Sequence, residues 1–553
     1  MKVVIITLNS QYIHSSLAPW YLLSSAKKNC CSQIEVKVIE GTVNEELSSV
    51  YKRIVSENAD VVAFSCYIWN ISFVLELVNL LSGCNAKIIL GGPEVSYCAE
   101  LVLKSNKRVD YVLSGEGEKP FASLLNALYN NEKLTDCMGI CYREKNRIVI
   151  NEPFISNEVP DSPYTDEYFK ALGGRIAYIE TSRGCPYSCA FCLSGRCGGV
   201  RYFPTENAKE NIIKLSNSGS KIIKFVDRTF NADKKRAYKL FEFIISNYGK
   251  AIKKGVCFHF EIAGDLLTDT DFALLKTAPK GLIQFEIGLQ SFNDKTLRAI
   301  NRKTNVEKLY SNIKRLVALK NIHVHIDLIA GLPYEDYKIF RDSFNTAFSL
   351  NADMLQLGFL KLLHGAAMRD NIKDYPCEYS CKPPYEVLST PWLGNKEILL
   401  LKYCENALER FVNSGRFPRT TDYIFNEQKR NPFDTLVELG MFTGCENCAL
   451  NDYVDKIYGF FSKGSDHNKL RDVIICDIAT SVKSNSLPKC LIRKDKRLKA
   501  FRSSLENNET TRRKKGVLRS TFLLYGEKCG AYVDYDRKID GKYVLHKIEF
   551  DLN

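Results

Sequence analysis

The chain has 553 residues, 45% of them hydrophobic, with 77 Lys and Arg against 64 Asp and Glu and a formal charge of +13. That length predicts three or four domains with well-buried cores, and no run approaches the roughly 18 apolar residues that a membrane-spanning helix needs. Met1-Lys2-Val3-Val4-Ile5-Ile6-Thr7 enters a strand pattern with no signal-peptide pattern, so a cytoplasmic location is expected, and 20 Cys spread over so long a chain point to reduced thiols rather than a disulfide framework.

Residues 1–150 alternate short β-branched runs with amphipathic stretches, and strands are expected at Val3–Leu8, Ile34–Ile39, Val61–Cys66, Lys87–Leu90 and Tyr111–Leu113. Such alternation argues an α/β, doubly wound, flavodoxin-like parallel sheet, whose ligands bind beyond the carboxyl ends of the strands. Those ends are polar or glycine-rich: Thr7-Leu8-Asn9-Ser10, Ser65, Gly91-Gly92-Pro93-Glu94 and Ser114-Gly115-Glu116-Gly117-Glu118. Glycine there permits positive φ and close backbone approach to a ligand. Residues 151–172, with Pro153, Pro160, Asp161 and Pro163, read as a connector rather than a packed element.

From 173 to 375, strands are expected at Ile176–Glu180, Ile222–Val226, Phe258–Ile262, Ile283–Ile287, His323–Ile329 and Met354–Phe359, separated by helical periods. Six βα units suggest a partial, open (β/α)6 barrel with its chemistry at the C-terminal strand ends. Directly after the first strand comes Gly184-Cys185-Pro186-Tyr187-Ser188-Cys189-Ala190-Phe191-Cys192. Random placement of the cysteines would give this spacing only ~0.03 times in such a chain, which argues for a cluster-binding loop. Three thiolates can hold three irons of a 4Fe-4S cluster and leave the fourth open to a small molecule, whereas closed zinc or electron-transfer sites use four ligands. Cys197 is the nearest other thiol; its offset fits no common zinc pair, and it reads as a bystander.

From 376 to 553 an α+β accessory domain is expected: helices such as Lys396–Asn413 and Phe433–Phe442, a basic segment, then strands between Thr521 and Phe550. Leu491 to Ser520 carries eleven Lys and Arg against three Asp and Glu. Without interleaved aromatics for base stacking, it reads as a solvated face rather than a nucleic-acid site. Cys445-Glu446-Asn447-Cys448 has metal-pair spacing, but no second pair lies nearby in sequence, so it reads as a reduced structural pair.

On the Cys185, Cys189, Cys192 motif and the α/β domain before it, the chain resembles radical S-adenosylmethionine (SAM) enzymes with an N-terminal cobalamin-binding domain, over about residues 1–370. The resemblance implies one 4Fe-4S cluster whose open iron chelates SAM, and reductive SAM cleavage to a 5′-deoxyadenosyl radical. It implies cobalamin at the strand ends, with Thr7, Asn9, Ser65, Gly91, Gly92, Gly115 and Glu116 as contacts. The Asp-x-His-x-x-Gly pattern that supplies a cobalt ligand elsewhere is absent, and His14 is the only His in the first 250 residues. No protein His is therefore expected below the metal, and His14 is expected at the surface or behind the site.

Phe285-Glu286-Ile287-Gly288-Leu289-Gln290-Ser291, Ile300-Asn301-Arg302 and Asp327-Leu328-Ile329-Ala330-Gly331-Leu332-Pro333 resemble the coproporphyrinogen-dehydrogenase-like branch. This implies SAM contacts at Gln290, Arg302 and Asp327, with Glu261 and Glu286 as further strand-end candidates. Chemically, a guanidinium suits the methionyl carboxylate and a carboxylate accepts from ribose hydroxyls. Asp227-Arg228-Thr229-Phe230-Asn231 also recurs in cobalamin-binding members, its role open among substrate, SAM and interdomain contact. Radical SAM methylthiotransferases place a further cysteine cluster after the first strand, where this chain has Thr7-Leu8-Asn9-Ser10.

The resemblance implies methyl transfer to an unactivated centre as the leading chemistry, with a small-molecule or unknown substrate and a one-electron donor such as flavodoxin or ferredoxin. The alternatives are a radical SAM enzyme of another reaction type whose first domain does not use cobalamin as methyl carrier, and a non-catalytic iron–sulfur protein that binds nucleic acid or senses redox state.

Overall fold

The structure, a computed structural model, describes residues 1–134, 137–145, 147–483, 487–506 and 520–550. They form two compact units: residues 1–336, 350–353 and 359–394 in the first, and 337–349, 354–358 and 395–553 in the second.

The first unit contains two large parallel-stranded sheets and two short antiparallel hairpins, one of them Glu378–Tyr379 with Val387–Ser389. The first sheet is built from β1 (Lys2–Asn9), β2 (Glu35–Thr42), β3 (Val61–Ser65), β4 (Lys87–Gly91), β5 (Tyr111–Leu113), β6 (Ile140–Glu144) and β7 (Arg147–Val149), ordered β2-β1-β3-β4-β5-β6-β7. β1 to β5 run parallel, as expected, in registers such as Ile5↔Ala63 and Ile89↔Tyr111. β6 and β7 add an antiparallel hairpin at the edge that the sequence pattern did not reveal. Helices cover both faces, so β1 and β3 are continuously buried. Val4, Ile6, Val62 and Phe64 pack to one face with Val50, Val74 and Leu77, while Val3, Ile5, Val61 and Ala63 pack to the other with Phe121, Leu124 and Leu125.

The stretch read as a bare connector ends in a helix at Asp166–Leu172, a correction to the expectation. Thr165 caps it by accepting from the Tyr168 amide, and Tyr168 and Leu172 are buried. The cap and these two buried residues, four apart on one helix face, outweigh the preceding prolines.

The second sheet begins at β8 (Ala177–Ile179). A short antiparallel hairpin, β9 (Ser182–Cys185) and β10 (Gly199–Tyr202), pairs Cys185 with Gly199 and brackets the three-cysteine loop. The parallel strands β11 (Ile222–Phe225), β12 (Cys257–Ile262), β13 (Ile283–Gln290) and β14 (His323–Ala330) follow, ordered β8-β11-β12-β13-β14 within this unit. The sixth expected strand is present as β15 (Met354–Phe359).

Side chains on these strands alternate. Phe225, Phe258, Phe260 and Phe285 are fully buried and form an aromatic layer with Phe230 and Phe241, Phe225 stacking on Phe260 at 4.5 Å. The alternation turns Lys224, His259, Glu261, Gln284 and Glu286 to the opposite, concave face, where many barrels carry Val, Ile and Leu. The sheet is thus apolar outside and charged inside.

In the second unit, helices at Asn395–Ala407, Pro432–Thr443, Leu450–Phe461 and His467–Ser481 pack with Tyr337–Ser349 around Phe340, Phe344, Phe411, Phe433 and Phe461. A three-stranded antiparallel sheet, Thr521–Leu524, Cys529–Ile539 and Lys542–Glu549, occupies the expected strand region. Residues 507–519 of the basic segment lie outside the described residues; 497–506 are helical.

Candidate functional site

The three-cysteine loop is fixed from below and from both sides. Asp227, at the end of β11, is buried and accepts from Thr181 N at 2.9 Å, Thr181 Oγ1 at 2.7 Å and Ser182 Oγ at 2.5 Å. It therefore anchors the segment that leads into β9. Ala190 N donates to Ile300 O and Met368 N donates to Ala190 O, both at 2.9 Å. Asn301 Nδ2 donates to Ser188 O at 3.0 Å. The loop returns so closely over Gly195 that a Cβ there would stand 2.4 Å from Tyr187 O.

The three sulfurs have polar neighbours. Cys185 Sγ lies 3.4 Å from Thr229 Oγ1, Ser194 N donates to Cys192 Sγ at 3.4 Å, and Arg302 Nη1 lies 3.8 Å from Cys189 Sγ. Burial pushes the Cys189 thiol up, against the pull of Arg302. The side chain of Cys197 lies outside the described residues.

Arg302 also donates to Gly288 O at 2.6 Å, and its Nε is buried with no hydrogen-bond partner among the described residues. Gln290 sits at a β-bulge with φ of 68° and folds back over Gly288, where a Cβ would meet its Nε2 at 2.0 Å. A buried left-handed Gln at a strand end is the kind of backbone strain that collects at ligand clamps. Asp327 Oδ1 lies 2.9 Å from His325 Nε2, and this pairing holds the His325 pKa above its usual value against the effect of burial. The unpartnered Arg302 Nε and the strained Gln290, with three thiols at cluster spacing in the sequence, fit a charged, hydrogen-bonding molecule beside an iron–sulfur cluster.

The two glutamates of the set differ. Glu286 lies 2.8 Å from His259 Nε2 and 3.1 Å from Lys224 Nζ; burial raises its carboxyl, but these partners bring it down to about 2. Glu261 has only looser contacts, 3.9 Å from both Lys224 and Arg228, and burial pushes it up. Glu286 is thus committed within the concave face, and Glu261 is the freer group.

Beside this cluster side lies a cavity of about 830 Å³ within the first unit. One wall is the set of carboxyl ends of the first sheet, with Asn9, Ser65, Gly91, Gly92, Gly115 and Glu116; the facing wall includes Tyr178, Lys224, Arg228, His259 and Glu261. Of the expected cobalamin contacts, Thr7 alone does not line it: its hydroxyl is buried against Ser16 Oγ at 3.3 Å. Cys185, Cys189, Cys192, Glu286, Gln290, Arg302 and Asp327 also lie outside the lining, so the two candidate sets are adjacent rather than merged. Arg228 lines the cavity and the next residue, Thr229, touches Cys185, which joins them.

The glycines act differently from the expectation. Gly92 and Gly115 have φ of 110° and 88°, but a Cβ at Gly92 would meet Cys66 O at 2.5 Å and one at Gly115 would meet Phe154 O at 2.2 Å. The close approach is by the protein's own backbone. Only Gly91, whose nearest neighbour would be Leu113 Cβ at 3.6 Å, leaves the cavity side open.

Glu116 is held by Arg183 at 3.0 Å and by Arg201. Arg183 also reaches Glu118 at 2.5 Å and Glu180 at 3.0 Å, so this cluster-hairpin arginine ties three carboxylates together. Several lining residues went unnoticed in the sequence: Tyr67 and Trp69, stacked at 4.5 Å, and Lys224 and His259. Strand alternation could have flagged Lys224 and His259; nothing local distinguishes Trp69. His14 lines the cavity, its Nδ1 2.7 Å from Tyr178 OH. Asn231 pins the end of β12, its amide exchanging 2.9 Å hydrogen bonds with the backbone of Ala263.

The geometry is that of a cysteine-loop barrel facing an α/β ligand domain, and the comparisons with known proteins match it part by part. Residues 3–125 match the B12 binding domain family, 179–347 the Radical SAM superfamily and 373–522 a "Protein of unknown function (DUF4080)". The chain thus carries a B12 binding domain followed by a Radical SAM domain. It is 31% identical to an "Uncharacterized methyltransferase" of Pyrococcus horikoshii over 37% of this chain and 47% of that one. It is 26% identical to the cobalamin-dependent radical SAM methyltransferase TokK of Streptomyces tokunonensis over 57% of this chain and 49% of that one. Among solved structures, the cobalamin-dependent S-adenosylmethionine radical enzyme OxsB, with aqua-cobalamin and S-adenosylmethionine bound, superposes with a TM-score of 0.60 at 15% identity, over 86% of this chain and 78% of that one. The chain spans about half the length of the first curated relatives it matches, between 44% and 49% for three of them. Among the described residues no helix is long and apolar enough to cross a membrane.

Proposed function

We propose that this chain is a cobalamin-dependent radical SAM enzyme that cleaves S-adenosylmethionine reductively at a 4Fe-4S cluster held by Cys185, Cys189 and Cys192 and methylates an unactivated centre of its substrate. One observation carries this reading: the 830 Å³ cavity is walled by the strand ends of a B12-binding domain on one side and by a radical SAM barrel on the other, with the cysteine loop one residue from its lining. When bound, the cluster would supply the electron that breaks the sulfonium bond and cobalamin the methyl group.

The chain's own residues would hold and orient. Arg302 would take the methionyl carboxylate with its free Nε, Asp327 the ribose hydroxyls, and Gln290 a polar edge of the same molecule. Asn9, Ser65 and Gly91 would line the corrin side, and Arg228 and Glu261 would meet the substrate between the two cofactors. Two of the matched relatives are named methyltransferases, which supports the reaction type. The reading requires a one-electron donor of the flavodoxin or ferredoxin class, and the 19 free cysteines among the described residues suit a reducing compartment, for which we take the cytoplasm.

The test is an absorption spectrum and iron determination on anaerobically reconstituted protein desalted after exposure to hydroxocobalamin. Retained cobalamin with about four irons per chain is expected. Deoxyadenosine released from SAM without transfer of its labelled methyl group to any acceptor would overturn the methyltransferase assignment, and iron without cobalamin would reduce the first domain to a scaffold.

A further inference from the structure

The second unit contains a built thiol site outside the machinery above. Helix Asn395–Ala407 runs into a π-helical turn at Leu408–Asn413, which carries Arg410. π-Turns are costly and frequently mark functional positions. Arg410 Nη2 lies 2.8 Å from Cys448 Sγ, its Nη1 donates to Glu446 O at 3.2 Å, and its guanidinium sits 4.0 Å above the ring of Tyr453. Cys445 is exposed and Cys448 partly so, and helix Leu450–Phe461 begins two residues after Cys448. The Tyr453 hydroxyl is buried without a hydrogen-bond partner among the described residues. A purely structural pair, as the sequence suggested, accounts for neither the exposure nor the dedicated arginine.

We propose that Cys445 and Cys448 form a redox-active dithiol that exchanges with an external disulfide, a role for the region of unknown function that is independent of SAM chemistry. Cys445, the more exposed sulfur, attacks the incoming disulfide, forms a mixed disulfide and releases one thiol. Cys448 then attacks the Cys445 sulfur and displaces the second. The two protein thiols lose two electrons and two protons, and the incoming disulfide gains them as two thiols. The Arg410 hydrogen bond is made to the reduced sulfur, a better acceptor than a disulfide sulfur, so it stabilises the dithiol and makes the disulfide the stronger oxidant.

The test uses the full chain, equilibrated anaerobically in glutathione redox buffers and, in a parallel arm, with an oxidised thioredoxin-type protein. Trapping by alkylation and peptide mass spectrometry then reads each cysteine. A Cys445–Cys448 disulfide is expected in at least one arm, the arm that reacts faster naming a small or a protein partner. Arg410→Met should raise the disulfide-to-dithiol ratio by about threefold or more at fixed glutathione potential, and Arg410→Lys by less. No such disulfide in either arm would overturn the proposal. So would an unchanged ratio in a folded Arg410→Met protein, or stoichiometric zinc or iron that is lost in both Cys445→Ser and Cys448→Ser.

Discussion

Replacing Arg183 by Met tests the electrostatic joint between the cluster hairpin and the first sheet. The guanidinium lies 3.0 Å from Glu116, 2.5 Å from Glu118 and 3.0 Å from Glu180, and none of these side chains is more than 16% exposed. Glu116 keeps Arg201, but Glu118 and Glu180 lose their cation. Removing one partner of a buried ion pair costs about 3–5 kcal/mol, because the remaining charge is left desolvated. Burial already raises Glu180, and without Arg183 its folded value moves further above the unfolded one of about 4.3. A carboxyl raised on folding does not destabilise below the unfolded value, and its penalty grows as pH rises through the folded value. The loss should therefore be larger at pH 8 than at pH 5. All three tryptophans, Trp20, Trp69 and Trp392, belong to the first unit, so urea unfolding followed by tryptophan fluorescence reports on it. A second change, Glu180→Gln, should recover about 1 kcal/mol or more. An Arg183→Met protein within 1 kcal/mol of the parent at both pH values, or one with no pH dependence, would refute the account.

Cys185→Ala, Cys189→Ala and Cys192→Ala together should abolish iron retention, from about four per chain to near none, as read by colorimetric iron assay. Arg302→Met should weaken SAM binding by about tenfold or more while leaving the cluster absorption in place, measured by equilibrium dialysis with labelled SAM. Gly92→Ala places a Cβ 2.5 Å from Cys66 O at a φ of 110° and should cost about 2–4 kcal/mol, whereas Gly91→Ala, with 3.6 Å to its nearest neighbour, should be nearly neutral in the same urea titration. Glu286, lowered to about 2 on folding, contributes stability that is present above about 4.3 and lost as pH falls towards 2; Glu286→Gln should flatten that acid limb of the stability profile.

The parallel sheets were legible because their signal is local. Val3 to Leu8 and Val61 to Ser65 are buried on both faces and so read as unbroken apolar runs. The Phe260-Glu261-Ile262 alternation likewise reads as a strand with two unlike faces. The hairpins escaped for the converse reason: β9 is Ser-Arg-Gly-Cys and β10 Gly-Val-Arg-Tyr, too short and polar for any period, and they pair because the loop between them is pinned by Ile300, Asn301 and Met368, more than 100 residues away. The helix at Asp166–Leu172 hid behind its prolines.

For the site, spacing revealed what one loop supplies and concealed what several strands supply. The three cysteines fall within eight residues and announce themselves, whereas the charged wall is assembled from Lys224, His259, Glu261 and Glu286 on three neighbouring strands, each flanked by apolar residues. Two identical carboxylates there also end with opposite properties: Glu286 is depressed by His259 and Lys224, Glu261 raised by burial with cations only at 3.9 Å. Sequence assigns both the same role, because the register that places His259 and Lys224 against Glu286 is a tertiary fact. The Asp227-Arg228-Thr229-Phe230-Asn231 segment shows the same limit more sharply. Its role seemed to be one of three, and the fold divides it: Asp227 anchors the approach to the cysteine loop, Arg228 faces the cavity, Thr229 touches Cys185 and Asn231 fixes the end of β12. A short segment that joins cysteine loop, cavity and strand end couples their positions, so its residues are constrained by the spacing of these three places as well as by their own contacts.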